Sequence, residues 1–283
     1  MFENLGLYVG FGVLGCFIGS FLTMVITRYP QILRKRWRDD CAEYCSSLTE
    51  KDARSVSWTV PLYSVCDHCQ MPLKIWHKIP VMSYFFLRGR CFYCHEMIEP
   101  FYCVTECITI LISCTIAWHF GLSIKAFSAL YFTALIVTLC MIDVRHGILP
   151  DRLTLSTLWV GLLWNSTVGG YGVSLPEAVW GSAGGYTLLW MMNQMFVSWR
   201  HKEGMGQGDF KFLAMVGAWL GWQGMLCTLW LAVMLGTLWN LILWLSKRVS
   251  FDQAIPFGPF IGLSAVIVLL NQSWMLSYFL YLM

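Results

Sequence analysis

AFSALYFTALIVTLCMID, residues 126–143, carries no charge until its last position, an aspartate. Its uncharged part approaches the about 20 residues needed to cross a hydrocarbon core about 30 Å thick, so it reads as a membrane helix. An acid at the end of such a run is costly near lipid and marks a candidate functional group. The composition extends that reading to the whole chain. Of the 283 residues 57% are hydrophobic and 12% charged, against about 45–50% and about 25% in soluble domains, which excludes a soluble enzyme and a disordered chain. Fifteen Trp and 24 Gly suit a bundle of membrane helices, with rings at the interfaces and glycine where helices approach closely.

Outward from this stretch, further apolar runs cover residues 5–26, 103–120, 153–168, 176–197, a short segment 210–222, 224–245 and 255–271, with Gly121 and Lys125 separating the second run from the third. The expectation is about eight transmembrane helices. If the amino terminus lies outside, the segments after helices one, three, five and seven share one side. They hold 11 of the 19 Lys and Arg between residues 28 and 90, then Arg145, Arg152, Arg200, Lys202, Lys247 and Arg248; Lys211 starts helix six on that side, and Lys125 alone is left opposite. Such an excess of basic residues marks the cytoplasmic face. The first run exceeds the 7–15 residues of a secretory h-region and has no basic segment before it, so it is expected to stay as an anchor.

Residues 28–100 form the one sizeable water-facing segment, charge-rich in its first half, where a polar helix or an insert is expected. Cys66, Cys69, Cys91 and Cys94 form two C-x2-C units 21 residues apart, one residue beyond the usual zinc-ribbon spacing. Each unit can present two thiolates to one tetrahedral ion, and a reduced cytoplasmic setting favours zinc over disulfides. Four sulfurs close the shell, so the metal is expected to organise the loop and to leave chemistry to other groups. His68 and His95 read as surface residues. Cys16, Cys114, Cys140 and Cys227, and the i, i+4 pairs Cys41 with Cys45 and Cys103 with Cys107, read as small packing residues. No G-x-G nucleotide fingerprint occurs in the loop, and no nucleic-acid partner is expected.

After the loop, Asp143 and Asp209 stand at the cytoplasmic ends of apolar runs. Two aspartates that approach each other share one proton; the ionised one activates water while the protonated one polarises a carbonyl, which is aspartic-protease chemistry. Gly206 and Gly208, in Gly206-Gln207-Gly208-Asp209, are expected to admit an extended substrate and to adopt unusual φ values. The bland accounts are a helix N-cap for Asp209 and a solvated acid paired with Arg145 for Asp143. Asp151, after Pro150, reads as an N-cap, Glu203 and Asp252 as solvated acids, and Glu177 as too far off to join the pair.

Read in order, these segments resemble the type IV prepilin peptidase family, the bifunctional leader peptidases and N-methyltransferases of pilus and type II secretion systems. The likeness rests on Gly19-Ser20-Phe21-Leu22, both cysteine pairs, Ile79-Pro80-Val81, Leu87-Arg88-Gly89-Arg90-Cys91, Asp143 with Leu149-Pro150-Asp151, Gly206-Gln207-Gly208-Asp209-Phe210-Lys211, Gly217-Ala218-Trp219-Leu220-Gly221 and Pro256-Phe257-Gly258-Pro259-Phe260. It implies an aspartic endopeptidase of the bacterial inner membrane that cuts the basic leader of a prepilin or pseudopilin after glycine, on the cytoplasmic side, through Asp143 and Asp209. Methyl transfer from S-adenosylmethionine to the new amino terminus would follow. It further implies support from Gly206, Gly208, Lys211, Phe257, Gly258 and Pro259, structural Zn2+ on the four cysteines, and a division into a first helix (1–27), a cytoplasmic methyltransferase-associated loop (28–102) and a peptidase domain (103–283). Thr23, where the family has Asn, and His77-Lys78, where Asn precedes Ile-Pro, depart from the pattern, and the stretch 34–65 is longer. Glu99 and Glu106, flanking the second cysteine pair, are the acids to test for methyl transfer, with surface salt bridges as the plainer account. A peptidase without methyl transfer, and a transporter or assembly scaffold with a zinc docking loop, are the rival readings; the sequence leaves the oligomeric state open.

Overall fold

The computed structural model describes residues 5–48, 66, 68–74, 80–167, 170–201, 204–246 and 256–271, with the backbone alone at 45–48. These form helices α1 (Leu5–Leu48), α2 (Met82–Phe86), α3 (Phe101–Phe120), α4 (Ile124–His146), α5 (Asp151–Thr167), α6 (Leu175–Arg200), α7 (Gln207–Leu245) and α8 (Gly258–Leu270). Two compact units divide the chain at Thr115 and Ile116, within α3.

In the first unit, α1 and α3 pack through small residues. A Cβ on Gly15 would lie 2.6 Å from Ser113 Cβ, and one on Gly19 would lie 3.0 Å from Glu106 Cα. Ser113 Oγ also donates to Phe11 O at 2.5 Å. The helix expected to end near residue 26 instead continues to Leu48 with Pro30 inside it, because the Arg, Lys, Glu and Ala that follow are good helix formers and leaving the bilayer does not by itself end a helix.

The second unit is organised around α7, which packs on α5, α6 and α8, while α4 packs on α8. Sequence reading separates residues 210–222 from 224–245; the chain turns non-helical at Gly221 (φ 73°, ψ 179°), a conformation that glycine adopts without strain. Just ahead of this break, Asn165 Nδ2 donates to Ala218 O at 2.8 Å. Trp219 Nε1 donates to Thr157 O at 2.9 Å, and its ring stacks on Phe132 at 4.7 Å. Gly181 and Gly217 let α6 and α7 meet backbone to backbone: a Cβ on either would collide with the other.

Helix ends follow side-chain chemistry. Ser123 Oγ caps α4 by accepting from Ala126 N, and Gly147, left-handed at φ 64°, closes its other end. Glu177 proves to be half of a capping box with Ser174 at the start of α6. Among the described residues, four helices are long and apolar enough to cross a membrane: the Leu5–Tyr44 part of α1, α3, α4 and α7; α8 is apolar but shorter.

Candidate functional site

Asp143, in the last turn of α4, is 7% exposed, and Asp209, in the first turn of α7, is 8% exposed. Gly258 N, which opens α8, donates to Asp143 Oδ2 at 3.1 Å. Asp143 also lies close enough for its charge to act on Asp209. Burial and the Gly258 amide place Asp143 in a packed site, so it is not a solvated acid. Asp209 is not an N-cap either; Gly206 holds that position and makes no side-chain bond. The structure thus sets both acids in buried positions at helix ends, Asp143 in the last turn of α4 and Asp209 in the first turn of α7.

The supporting residues fall into place differently from expectation. Gly206 has an ordinary extended backbone (φ −70°, ψ 143°), and Gly208 is not among the residues with positive φ, so the expected unusual backbone beside Asp209 is absent. Gly208 is required for packing: a Cβ there would lie 2.8 Å from Leu149 Cβ. Gly258 is required for the carboxylate, since a Cβ would lie 2.5 Å from Asp143 Oδ2. Phe257 is the N-cap of α8 and Pro259 sits in its first turn, where a missing N–H costs nothing. Asp151 is the first residue of α5, and its carboxylate takes Lys211 Nζ at 2.7 Å on both oxygens in place of the expected cap. Lys211 therefore ties the start of α7 to the start of α5.

Sequence reasoning missed Asn193, whose Oδ1 accepts both Gly204 N and Met205 N at 3.2 Å and so anchors the segment leading into α7. The signal available was the amide pair Asn193-Gln194 near the end of the largely apolar run 176–197.

The first unit brings together the four cysteines. The Sγ atoms of Cys66, Cys69, Cys91 and Cys94 all lie within 4.8 Å of one another, with Cys66 Sγ and Cys94 Sγ 3.9 Å apart. Zn–S bonds of about 2.3 Å in a tetrahedron require sulfurs about 3.8 Å apart, so the set fits that ion. Both knuckles have the same backbone. Cys66 N donates to Met71 O and Gln70 N to Cys66 O; Cys91 N donates to Glu96 O and His95 N to Cys91 O. Gln70 and His95, each just after the second cysteine of its pair, are left-handed at φ 56° and 58°. Burial raises the Cys91 thiol, but bonds from the Cys94 and Tyr93 amides and from the Cys66 and Cys94 thiols outweigh this and lower it, while burial pushes its partner Cys66 up.

Glu106 is 8% exposed and accepts Val81 N at 2.7 Å, so it is no surface salt bridge; Glu99 is exposed.

Helical, membrane-spanning by composition, with two buried aspartates in one unit and a four-thiol cluster in the other, the molecule has the features of a membrane-embedded enzyme with a separate cysteine module. The model of the Type IV leader peptidase family matches residues 130–241, and that of the bacterial Peptidase A24 N-terminal domain matches residues 13–120. The chain is 38% identical over 258 residues to a prepilin leader peptidase/N-methyltransferase of Stutzerimonas stutzeri, covering 91% of this chain and 88% of that protein. It is 36% identical over 263 residues to the protein of that name from Legionella pneumophila, covering 93% and 91%, and 39% identical over 268 residues to the one from Aeromonas hydrophila, covering 93% and 91%. No solved structure matches. The chain belongs to the type IV leader peptidase family.

Proposed function

We propose that this protein removes the leader from type IV prepilins or pseudopilins and then methylates the new amino terminus. Relatives that carry both activities in their names align over nine-tenths of the chain, across both units, which supports the pairing of the two activities. The observation that carries the peptidase reading is the buried pair Asp143 and Asp209, one from α4 and one from α7. In this reading the two carboxylates share one proton. The ionised member takes a proton from water as it attacks the carbonyl carbon of the leader's last glycine; the protonated member gives its proton to that carbonyl's oxygen. Collapse of the tetrahedral intermediate returns a proton to the leaving amine. Gly258 N, bonded to one Asp143 oxygen, fixes which lone pairs remain for water, and Phe257 and Pro259 shape the same edge.

The positions of the two acids also argue against a transporter. A proton path needs acids near mid-membrane, whereas these lie in a last and a first helical turn. The proposed topology keeps about eight spans in the bacterial inner membrane with the aspartate pair facing the cytoplasm, where the basic loops lie. The pilin's apolar helix then stays in the bilayer while its basic leader remains in water. Residues 103–283 carry the peptidase domain and residues 28–102 the methyl-transfer loop after the first helix (1–27), with Glu106 at the start of α3 facing that loop through Val81 N. Cys66, Cys69, Cys91 and Cys94 hold structural Zn2+, which supplies a fixed fold for that loop. S-adenosylmethionine supplies an activated methyl group.

Asp143→Asn and Asp209→Asn are each expected to lower leader removal by about 10^3-fold or more while the protein still inserts and accumulates. Processing of a prepilin at the normal rate by either variant, in cells without another such peptidase, would overturn the assignment.

A further inference from the structure

The first unit contains a cavity of about 740 Å3, within the range of pockets that enclose a small organic molecule. α1 contributes Phe21 and Arg28 to its wall, the segment around α2 contributes Tyr84, the cysteine module contributes Phe92 and Glu96, and Glu99 and Glu106 complete it. Its chemistry is one-sided. Three carboxylates and one guanidinium line a space whose remaining wall is shared between rings and aliphatic side chains on one hand and hydroxyl, amide and thiol groups and His68 on the other, with Cys66 and Cys91 of the four-thiol cluster at its edge. A matching ligand pairs a planar ring system, set against the aromatic part of the wall, with a positive centre opposite Glu106.

Glu106 is the built feature of this wall. It is nine-tenths buried, reaches the cavity, and is held on one oxygen by Val81 N at 2.7 Å. Val81 donates from φ 59°, ψ −52°, a backbone conformation that a β-branched residue keeps only where the surroundings enforce it. The surroundings here include the Glu106 carboxylate. A strained amide thus fixes the orientation of a buried acid that lines a ligand-sized space.

We infer that this cavity is the methyl-donor site, that it takes an adenosyl sulfonium between its aromatic walls, and that Glu106 is the positioning carboxylate facing the sulfonium charge. The inference rests on the methyl-transfer reading above and adds to it a place and a residue.

The test is calorimetric titration of the purified, metal-loaded full chain with two ligands, S-adenosylmethionine and S-adenosylhomocysteine, which differ by one methyl and the sulfonium charge. Glu106→Gln is expected to weaken the charged ligand by about tenfold or more, the scale of one charge-assisted contact, and the uncharged-sulfur ligand markedly less. Phe92→Ala, at a half-exposed ring of the wall, is expected to weaken both ligands alike. Metal content and leader removal by the same preparations report whether the variants fold. Equal loss of both ligands in the folded Glu106→Gln protein, or no loss, overturns the role of Glu106. Unchanged binding in Phe92→Ala overturns the placement, and that variant decides it even if Glu106→Gln fails to accumulate. Wild-type protein that binds neither ligand instead overturns the methyl-transfer reading itself.

Discussion

A methyl group at residue 258 would sit 2.5 Å from Asp143 Oδ2, closer than packed atoms tolerate, so Gly258→Ala must displace either the carboxylate or α8. Overpacking of this kind costs about 1–3 kcal/mol, and the expected result is at least a tenfold loss of leader removal with little change in membrane accumulation, read by a cleavage assay on purified protein. The Lys211–Asp151 pair has side chains 24% and 56% exposed, and exposed ion pairs are worth about 0–1 kcal/mol. Lys211→Met, Asp151→Asn and the double variant should therefore form a thermal-unfolding cycle with coupling of at most about 1 kcal/mol. A larger cleavage defect in Lys211→Met than in Asp151→Asn would place the lysine's work at the aspartates. At this scale the sequence is informative about charge and mute about partners. Asp143 and Asp209 stand out because acids are rare beside apolar runs, but nothing local links Glu106 to the amide of Val81, 25 residues earlier.

Helices α3 and α4 were legible because an uninterrupted apolar run is itself the physical requirement for crossing a bilayer. The end of α1 was not, since hydropathy reports the membrane boundary while helix propensity continues past it to Leu48. α2, five residues long, is too short to leave a period in the sequence. The break in α7 was placed within a few residues, because Gly221 and Gly224 read alike and only the folded chain reveals which one is left-handed. Asn193 belongs to this scale: it joins the end of α6 to the lead-in of α7 through two amides. Asn193→Ala leaves both donors without their acceptor, at about 1–3 kcal/mol if water does not replace it. The expected signature is faster proteolytic cutting near residues 201–206, measured by timed digestion, with α7 otherwise intact.

For the molecule as a whole, the two units put the two proposed activities on separate sets of residues. A single Cys→Ser at position 66, 69, 91 or 94 is expected to release about one zinc per chain and to lower methylation by about 10–100-fold, while leader removal persists. Metal analysis alongside both assays checks this, and loss of cleavage in parallel with methylation would show that the aspartate pair depends on the metal. The cysteine cluster was fully legible, as its spacing is the geometry; the cavity was not, because its wall draws on segments from Phe17 to Glu106 that no local pattern connects.

Within that wall, the residues contributed by α1 extend from Phe17 to Gln31, a height of about 21 Å at 1.5 Å per residue. In the proposed orientation the lower end of this shaft lies level with acyl chains and the upper end level with the cytosol. A wall of that height straddles two solvents, so a polar nucleoside and a chain end emerging from an apolar helix can both be met along it, each at its own level.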